Sequence, residues 1–161
     1  SDKELISLKK ETAYLEQYLE FERKRLSSSF TYSIKTDEEI DAENVMLPPM
    51  LVQPIVENAL KHAVPYSEQG NIHIQFRKNQ QETPAVLEII IEDNGPGLQK
   101  PPADIHSPAT HISKGLLITQ QRISNLWQRY PEPGTRFQMQ DKAPEGQGVR
   151  VIIQLPYLEE F

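Results

Sequence analysis

The sequence predicts an α+β domain: an open sheet covered on one face by helices, preceded by a long N-terminal helix. Three observations carry that prediction. From about Lys3 to Leu26 the chain is charged and periodic, with Leu5, Leu8, Leu15, Leu19 and Leu26 near heptad spacing, Tyr18 reinforcing the stripe, and no Gly or Pro. Several later runs alternate apolar and polar residues with period two, the signature of half-buried strands. Two more runs, 49–64 and 115–130, repeat apolar residues with helical spacing. The order is helix, strand, helix, two strands, long loop, helix, two strands, which fits an open sheet with one wet face and helices on the other.

Taken in order, the first helix has a narrow apolar seam. Either the following domain or a second chain must cover it. Ser27-Ser28-Ser29 ends it, and Phe30, Tyr32 and Ile34 alternate in a first strand. An acidic segment, Asp37 to Glu43, leads to Leu47-Pro48-Pro49 and a helix over Pro49–Val64, with Val52, Ile55, Val56, Ala59 and Ala63 on its apolar side. Pro49 suits a first turn, where no N–H is needed, whereas Pro54 either bends the helix or sets its start later. Two strands follow: Ile72, Ile74 and Phe76 share one face of the first. In the second, Ala85 to Asp93, period-two counting puts Leu87, Ile89, Ile91 and Asp93 on one face. Leu98 to Lys114 is a Pro-rich loop, long enough to suggest a functional one. A helix over Gly115–Tyr130 has Leu116, Ile123, Leu126 and Trp127 as core positions. Phe137 and Met139 mark a strand, and after Gly146-Gln147-Gly148 a last one aligns Val149, Val151, Ile153 and Leu155.

Length and charge bound the function. The 161 residues (18.5 kDa) suit one domain, or one domain with an appendage. A net charge of −6 and a pI near 5.3 argue against a nucleic-acid binder, which needs cations against phosphates. The absence of cysteine excludes disulfides and thiolate metal sites. No apolar run approaches the ~20 residues of a membrane span and no signal peptide opens the chain, so no membrane contact is expected of this stretch. Because Ser1-Asp2 already lies inside a helical pattern, the expectation is an excised piece of a longer protein.

The chemistry concentrates in two places. On the helix over 49–64, Glu57, Asn58, Lys61 and His62 fan out opposite the apolar side, so a carboxylate, a carboxamide, an ammonium and an imidazole share one short polar face. A solvated face with an i,i+4 pair between Glu57 and Lys61 is the plain alternative. About thirty residues on stands Asp93-Asn94-Gly95-Pro96-Gly97. Asp93 ends the row facing the helices, and a carboxylate at the rim of an apolar cavity is costly unless something binds it. It matches the exocyclic amino group of an adenine, and the glycines at 95 and 97 let backbone approach a flat ring and turn sharply. A triphosphate brings Mg²⁺, which takes one or two protein oxygens and keeps waters. Asn58 can supply one oxygen, and Glu57 can hold a metal-bound or attacking water. Lys61 and Lys114 are candidate phosphate charges, and Ser113-Lys114-Gly115 opens a helix whose free N–H groups form an anion site.

These residues carry a resemblance. Glu57-Asn58-Ala59-Leu60-Lys61-His62 resembles the N box of the GHKL (Bergerat-fold) ATP-binding domains, and Asp93-Asn94-Gly95-Pro96-Gly97 their first glycine box. Gly115-Leu116 with Arg122-Ile123 resembles the second box, and Gly146-Gln147-Gly148-Val149 the closing one. More narrowly, Tyr18-Leu19-Glu20 through Arg25, then Leu47-Pro48-Pro49 running to the N box, is similar to LytS-type sensor histidine kinases. The likeness covers nearly the whole chain.

It implies a Bergerat-type α/β sandwich with a mixed, mostly antiparallel sheet, residues 1–28 ending a dimerisation region and 29–161 forming the catalytic domain. It implies transfer of the γ-phosphoryl of Mg-ATP to a histidine upstream of this stretch, because the N-terminal helix contains none. Residue by residue, Asp93 with Gly95 and Gly97 would meet adenine, Asn58 would hold Mg²⁺, and Glu57 would act as catalytic base or water organiser. Lys61, His62, Lys114, the Gly115 and Leu116 amides and Gly148 would complete the nucleotide site, with Leu98–Lys114 as the lid. A response regulator, a homodimer of the full-length kinase and a membrane anchor elsewhere in it, with this part in the cytoplasm, follow from the same likeness. The chain departs from the family pattern at Ser113, Ile118 and Val149, where Gly, Asn and Thr are usual.

Two rivals stand beside this reading: another GHKL ATPase or anti-sigma-type kinase, and a non-enzymatic interaction module that keeps the fold. The other histidines have plainer expectations. His73 alternates out of a strand towards solvent, and His106 and His111 lie in the loop without a third metal ligand at convincing spacing. Trp127 is a core or interface residue.

Overall fold

A computed structural model describes residues 4–26, 30–63, 69–98, 114–130 and 136–160. Its elements are β1 (Ile6–Ser7), α1 (Leu8–Arg25), β2 (Thr31–Thr36), β3 (Val45–Leu47), α2 (Gln53–Ala63), β4 (Asn71–Asn79), β5 (Val86–Asp93), α3 (Lys114–Trp127), β6 (Phe137–Asp141), β7 (Val149–Pro156) and β8 (Leu158–Glu159). The main sheet has the order β2-β4-β5-β7-β6. Only β2 and β4 run parallel; the other neighbours are antiparallel. The expected α+β class with a mixed, mostly antiparallel sheet is the one observed.

Alternation decides which face of the sheet is covered. Ile72, Ile74 and Phe76 of β4, Leu87, Ile89 and Ile91 of β5, and Val151, Ile153 and Leu155 of β7 are buried in one core. Against them pack Ile55, Val56, Ala59 and Leu60 of α2, and Leu116, Ile123 and Trp127 of α3. Trp127 donates its indole N–H to the Gln154 carbonyl (2.8 Å), with the Arg136 guanidinium 3.8 Å from its ring centroid. That is the core residue expected.

The seam of the first helix is covered by the domain itself. Leu8, Leu15 and Leu19 belong to the same core as the sheet, so the choice between domain and second chain falls to the domain over these residues. Leu26, by contrast, is exposed. The helix also starts later than its sequence pattern. Ser7 caps it by accepting from the Lys10 amide (3.2 Å), and Ile6–Ser7 leave the helical path to pair with β3.

The second helix likewise begins at Gln53 rather than Pro49. Residues 49–52 form a turn in which Met50 has φ +59°, and Pro54 falls in the first helical turn, where its missing N–H has no intrahelical partner to lose. The third helix ends at Trp127, three residues short of the expected Tyr130.

A small second sheet, β1-β3-β8, was absent from the expected element order. Its strands have two or three residues, too few for any periodicity to register. β3 pairs antiparallel with both neighbours, and the Glu160 amide extends the ladder to the Asn44 carbonyl (2.8 Å). The Lys9 amide bonds the Ala42 carbonyl (2.9 Å), which fixes the start of α1 to the segment before β3.

Because α1 shares the core, Leu19→Ala should cost about 2–5 kcal/mol of the stability of the whole unit in urea unfolding, in one transition. Phe21→Ala, at a side chain 63% exposed, should stay within about 0.5 kcal/mol of the parent.

Candidate functional site: the Asp93 cleft

Asp93 is the last residue of β5 and sits on the covered face, as the period-two count requires, with 6% of its surface exposed. Its Oδ1 accepts two backbone N–H groups, from Gly95 (2.9 Å) and from Val149 at the start of β7 (3.2 Å). Its own carbonyl accepts from the Lys142 ammonium (3.2 Å). The carboxylate is thus oriented before any ligand arrives.

Close approach of β7 makes that possible. Gly148 has φ +110°, and a Cβ built on it would lie 2.0 Å from the Asp93 carbonyl oxygen. Gly97, at φ +94°, packs with its α-carbon against Asp141, where a Cβ would come within 2.8 Å of Oδ2. Asp141 in turn accepts from the Leu98 amide (3.0 Å) and the Ala143 amide (2.9 Å), stitching the glycine turn after β5 to the end of β6.

The polar residues of α2 do not form the single face expected of them. Successive residues on a helix are rotated by about 100°, so the i,i+4 pairs Glu57/Lys61 and Asn58/His62 make two neighbouring stripes. Asn58 and His62 line a cleft with Asp93, Ile55, Ala59, Ile91, Met139, Val149 and Val151. Glu57 and Lys61 line a second cleft, between α2 and α1, with Tyr18, Glu22, Arg25, Leu26 and Leu60.

The second cleft is far larger, about 370 Å³ against about 10 Å³, and its charged lining is balanced, Glu22 and Glu57 against Arg25 and Lys61. Burial pushes the Tyr18 hydroxyl well above its usual range, and the charges of Glu22 and Glu57 push it further. Glu22 is already paired with Arg25. The carboxylate of the Asp93 cleft is held by two backbone amides, whereas Glu22 of the second cleft is held by a cation.

Residues 48–159 match the family described as histidine kinase-, DNA gyrase B-, and HSP90-like ATPase. The chain belongs to that family. The curated relatives of this ATPase domain include the sensor histidine kinase/phosphatase LytS of Staphylococcus aureus strain MRSA252, 38% identical over 101 residues, which are 62% of this chain and 16% of that protein. The chain therefore corresponds to a small part of such relatives.

Solved structures with the same fold include the catalytic domain of histidine kinase ThkA (TM-score 0.58, 16% identity, 98% of both chains). Another is the Acinetobacter baumannii histidine kinase AdeS (TM-score 0.59, 20% identity, 96% of this chain and 66% of that one). Membership of the ATPase family implies ATP binding here.

The remaining expected site residues of the ATPase domain fall as follows. Lys114 is exposed in the first turn of α3, while Leu116 is buried under it and Gly115 lies between. Ser113 and the loop residues 99–113, with His106 and His111, lie outside the described residues. His73 stands on the uncovered face beside Ser33, whose hydroxyl contacts its Nδ1. Val149, where the family has Thr, serves Asp93 through its backbone N–H, which any residue but proline supplies. Ile118 points to solvent on α3.

Sequence reasoning missed Met139, Asp141 and Lys142. The register Asp141↔Val149 would have exposed the last two, had the β6–β7 hairpin been paired from its turn. Lys142 also pairs with Glu92 (3.5 Å), which Arg150 holds at 2.8 Å. Burial works against the Glu92 carboxylate, but the hydrogen bond and charge of Arg150, then Lys142, hold its pKa below the usual carboxylate range. Among the described residues no cluster of three His, Asp or Glu side chains could hold a metal alone. A cation here would need phosphate oxygens as further ligands, which suits Mg²⁺ and the single carboxamide of Asn58.

Gly148→Ala should destabilise the protein by more than about 2 kcal/mol in denaturant unfolding, since both the backbone angle and the Asp93 carbonyl forbid the methyl group. The Glu92 contribution should be present above the carboxyl's unfolded pKa of about 4.3 and vanish as pH falls through its lower folded value. Glu92→Gln should therefore flatten the acid limb of the stability–pH curve.

Proposed function

We propose that this chain is the ATP-binding catalytic part of a sensor histidine kinase, and that the Asp93 cleft is its nucleotide site. The observation that carries the reading is the carboxylate of Asp93, buried in an apolar wall and aimed by two backbone amides. Such a group recognises a flat ring that offers an amino donor, and the apolar side chains of Ile55, Ile91, Val149 and Val151 suit the ring faces. The cleft has room for about one water, so entry of a purine displaces side chains at its mouth, with Met139 and His62 the half-buried candidates.

Asn58 would hold Mg²⁺, which neutralises charge on the transferring phosphoryl group. His62 would face the phosphates, and Lys114, with the amides of Gly115 and Leu116, would complete the anion site at the start of α3. Glu57 lines the α1 side of α2, so its part in the reaction would be played from the second cleft, where an acceptor carried by another segment could approach. The chain has four histidines, none on α1, and the phosphoacceptor is assigned to a histidine outside this sequence. A response regulator as phosphoryl recipient, a homodimer and a membrane anchor in the whole kinase belong to the same proposal. Among the described residues no helix is long and apolar enough to cross a membrane.

Calorimetry with ATP and Mg²⁺ tests the reading. The parent chain should bind, Asp93→Ala should weaken binding by at least about tenfold, and Asn58→Ala should keep Mg-independent binding while losing the gain from Mg²⁺. A folded parent that binds no nucleotide would favour an interaction module instead.

A further inference from the structure

The seam of α1 contains a residue that does not belong in an apolar seam. Glu11 stands between Leu8 and Leu15 on the buried side, and it is 1% exposed. A carboxylate in such a place is costly unless it is hydrogen-bonded. Its Oε2 accepts from the Met50 amide (3.2 Å), and the amides of Val52 and Leu51 lie close enough to favour its charge. Met50, at φ +59°, stands in the turn before α2, and the amides of residues 50–52 beside the carboxylate give that turn the character of an anion-binding nest. Burial pushes the Glu11 carboxyl upward, against the pull of these amides and of the Arg122 charge.

Arg122 grips the same turn from the other side. It reaches from α3 to donate to the carbonyls of Pro49 (2.9 Å) and Met50 (3.5 Å). The turn at 49–52 is thus clamped between a carboxylate on α1 and a guanidinium on α3. It leads straight into α2, whose first bonds run from the Ile55 and Val56 amides to the Val52 carbonyl (3.0 and 3.2 Å). Six residues after Val52 comes Asn58, and ten after it His62, both on the Asp93 cleft.

We propose that Glu11 is a positioning residue for the nucleotide site: by holding the nest at residues 50–52 it makes the placement of α1 set the placement of Asn58 and His62 against Asp93. The proposal rests on the Asp93 cleft being the nucleotide site. It touches neither nucleotide nor metal through Glu11 itself. A purely structural role would give the buried carboxylate no more influence on the cleft than a neighbouring leucine of the same seam.

The test compares Glu11→Ala, Glu11→Gln and Leu15→Ala by amide hydrogen exchange along α2 and by Mg-ATP affinity, each on protein verified as folded. Glu11→Ala should speed exchange at the α2 amides by about tenfold or more, leave β5 and β7 near the parent, and weaken nucleotide binding about tenfold. Glu11→Gln, which keeps an acceptor oxygen, should restore both to within about threefold. Leu15→Ala should lower protection evenly across the unit, without singling out α2, and leave affinity near the parent. Equal effects from Glu11→Ala and Leu15→Ala, or unchanged α2 exchange in Glu11→Ala, would overturn the proposal. Should Glu11→Ala not fold, Glu11→Asp, one methylene shorter, carries the same expectation. If the parent itself binds no nucleotide, the reading of the cleft falls, and the exchange comparison still decides whether Glu11 governs α2.

Discussion

Everything at the cleft hangs on how one carboxylate is buried. A charged group inside an apolar wall survives only with donors aimed at it, and Asp93 finds two in backbone amides rather than side chains. Backbone donors are fixed by the path of the chain, so the requirement passes to the fold. β7 must start within hydrogen-bonding distance of the end of β5, which only a residue without a Cβ at position 148 permits. The turn after Asp93 must fold back at once, and Asp141 ties it down. Antiparallel pairing of β5 with β7 and of β6 with β7 brings all of these together. Sheet order and ligand chemistry are therefore one constraint.

Much of this was legible in the residues. Alternation from Leu87 to Asp93 placed the carboxylate on the covered face because strand periodicity is rigid: a one-residue slip would have sent it to solvent. The cores of α2 and α3 followed from helical spacing for the same reason. What escaped was whatever depends on partners distant in sequence. The three short strands carry no pattern of their own and exist because β3 has a neighbour on each side. Asp141 and Lys142 look like ordinary turn residues until the hairpin register sets them beside Gly97 and Asp93.

The division of the α2 polar residues teaches a narrower lesson. Neighbours in sequence on a helix are a hundred degrees apart, wide enough for a flanking helix to claim one stripe and the sheet the next. Here α1 takes the side of Glu57 and Lys61, and the sheet takes the side of Asn58 and His62. The late start of α2 has a comparable origin. A proline at 54 is compatible with either reading of the sequence, and the turn that precedes the helix is bonded by Glu11, about forty residues away along the chain and in contact across the fold.

The small sheet bears on how the molecule is made. β3 accepts β1 on one edge and β8 on the other, so the strand that fixes the beginning of α1 is itself completed by residues 158–160. As the chain emerges from the ribosome, these last partners appear only after every other described element has been synthesised. The first helix can form early from local contacts, but its seat is finished late. The longest sequence separation in either sheet, from β3 to β8, thus falls on the strand that seats the first helix, and the contact that completes that seat is the last the chain can make.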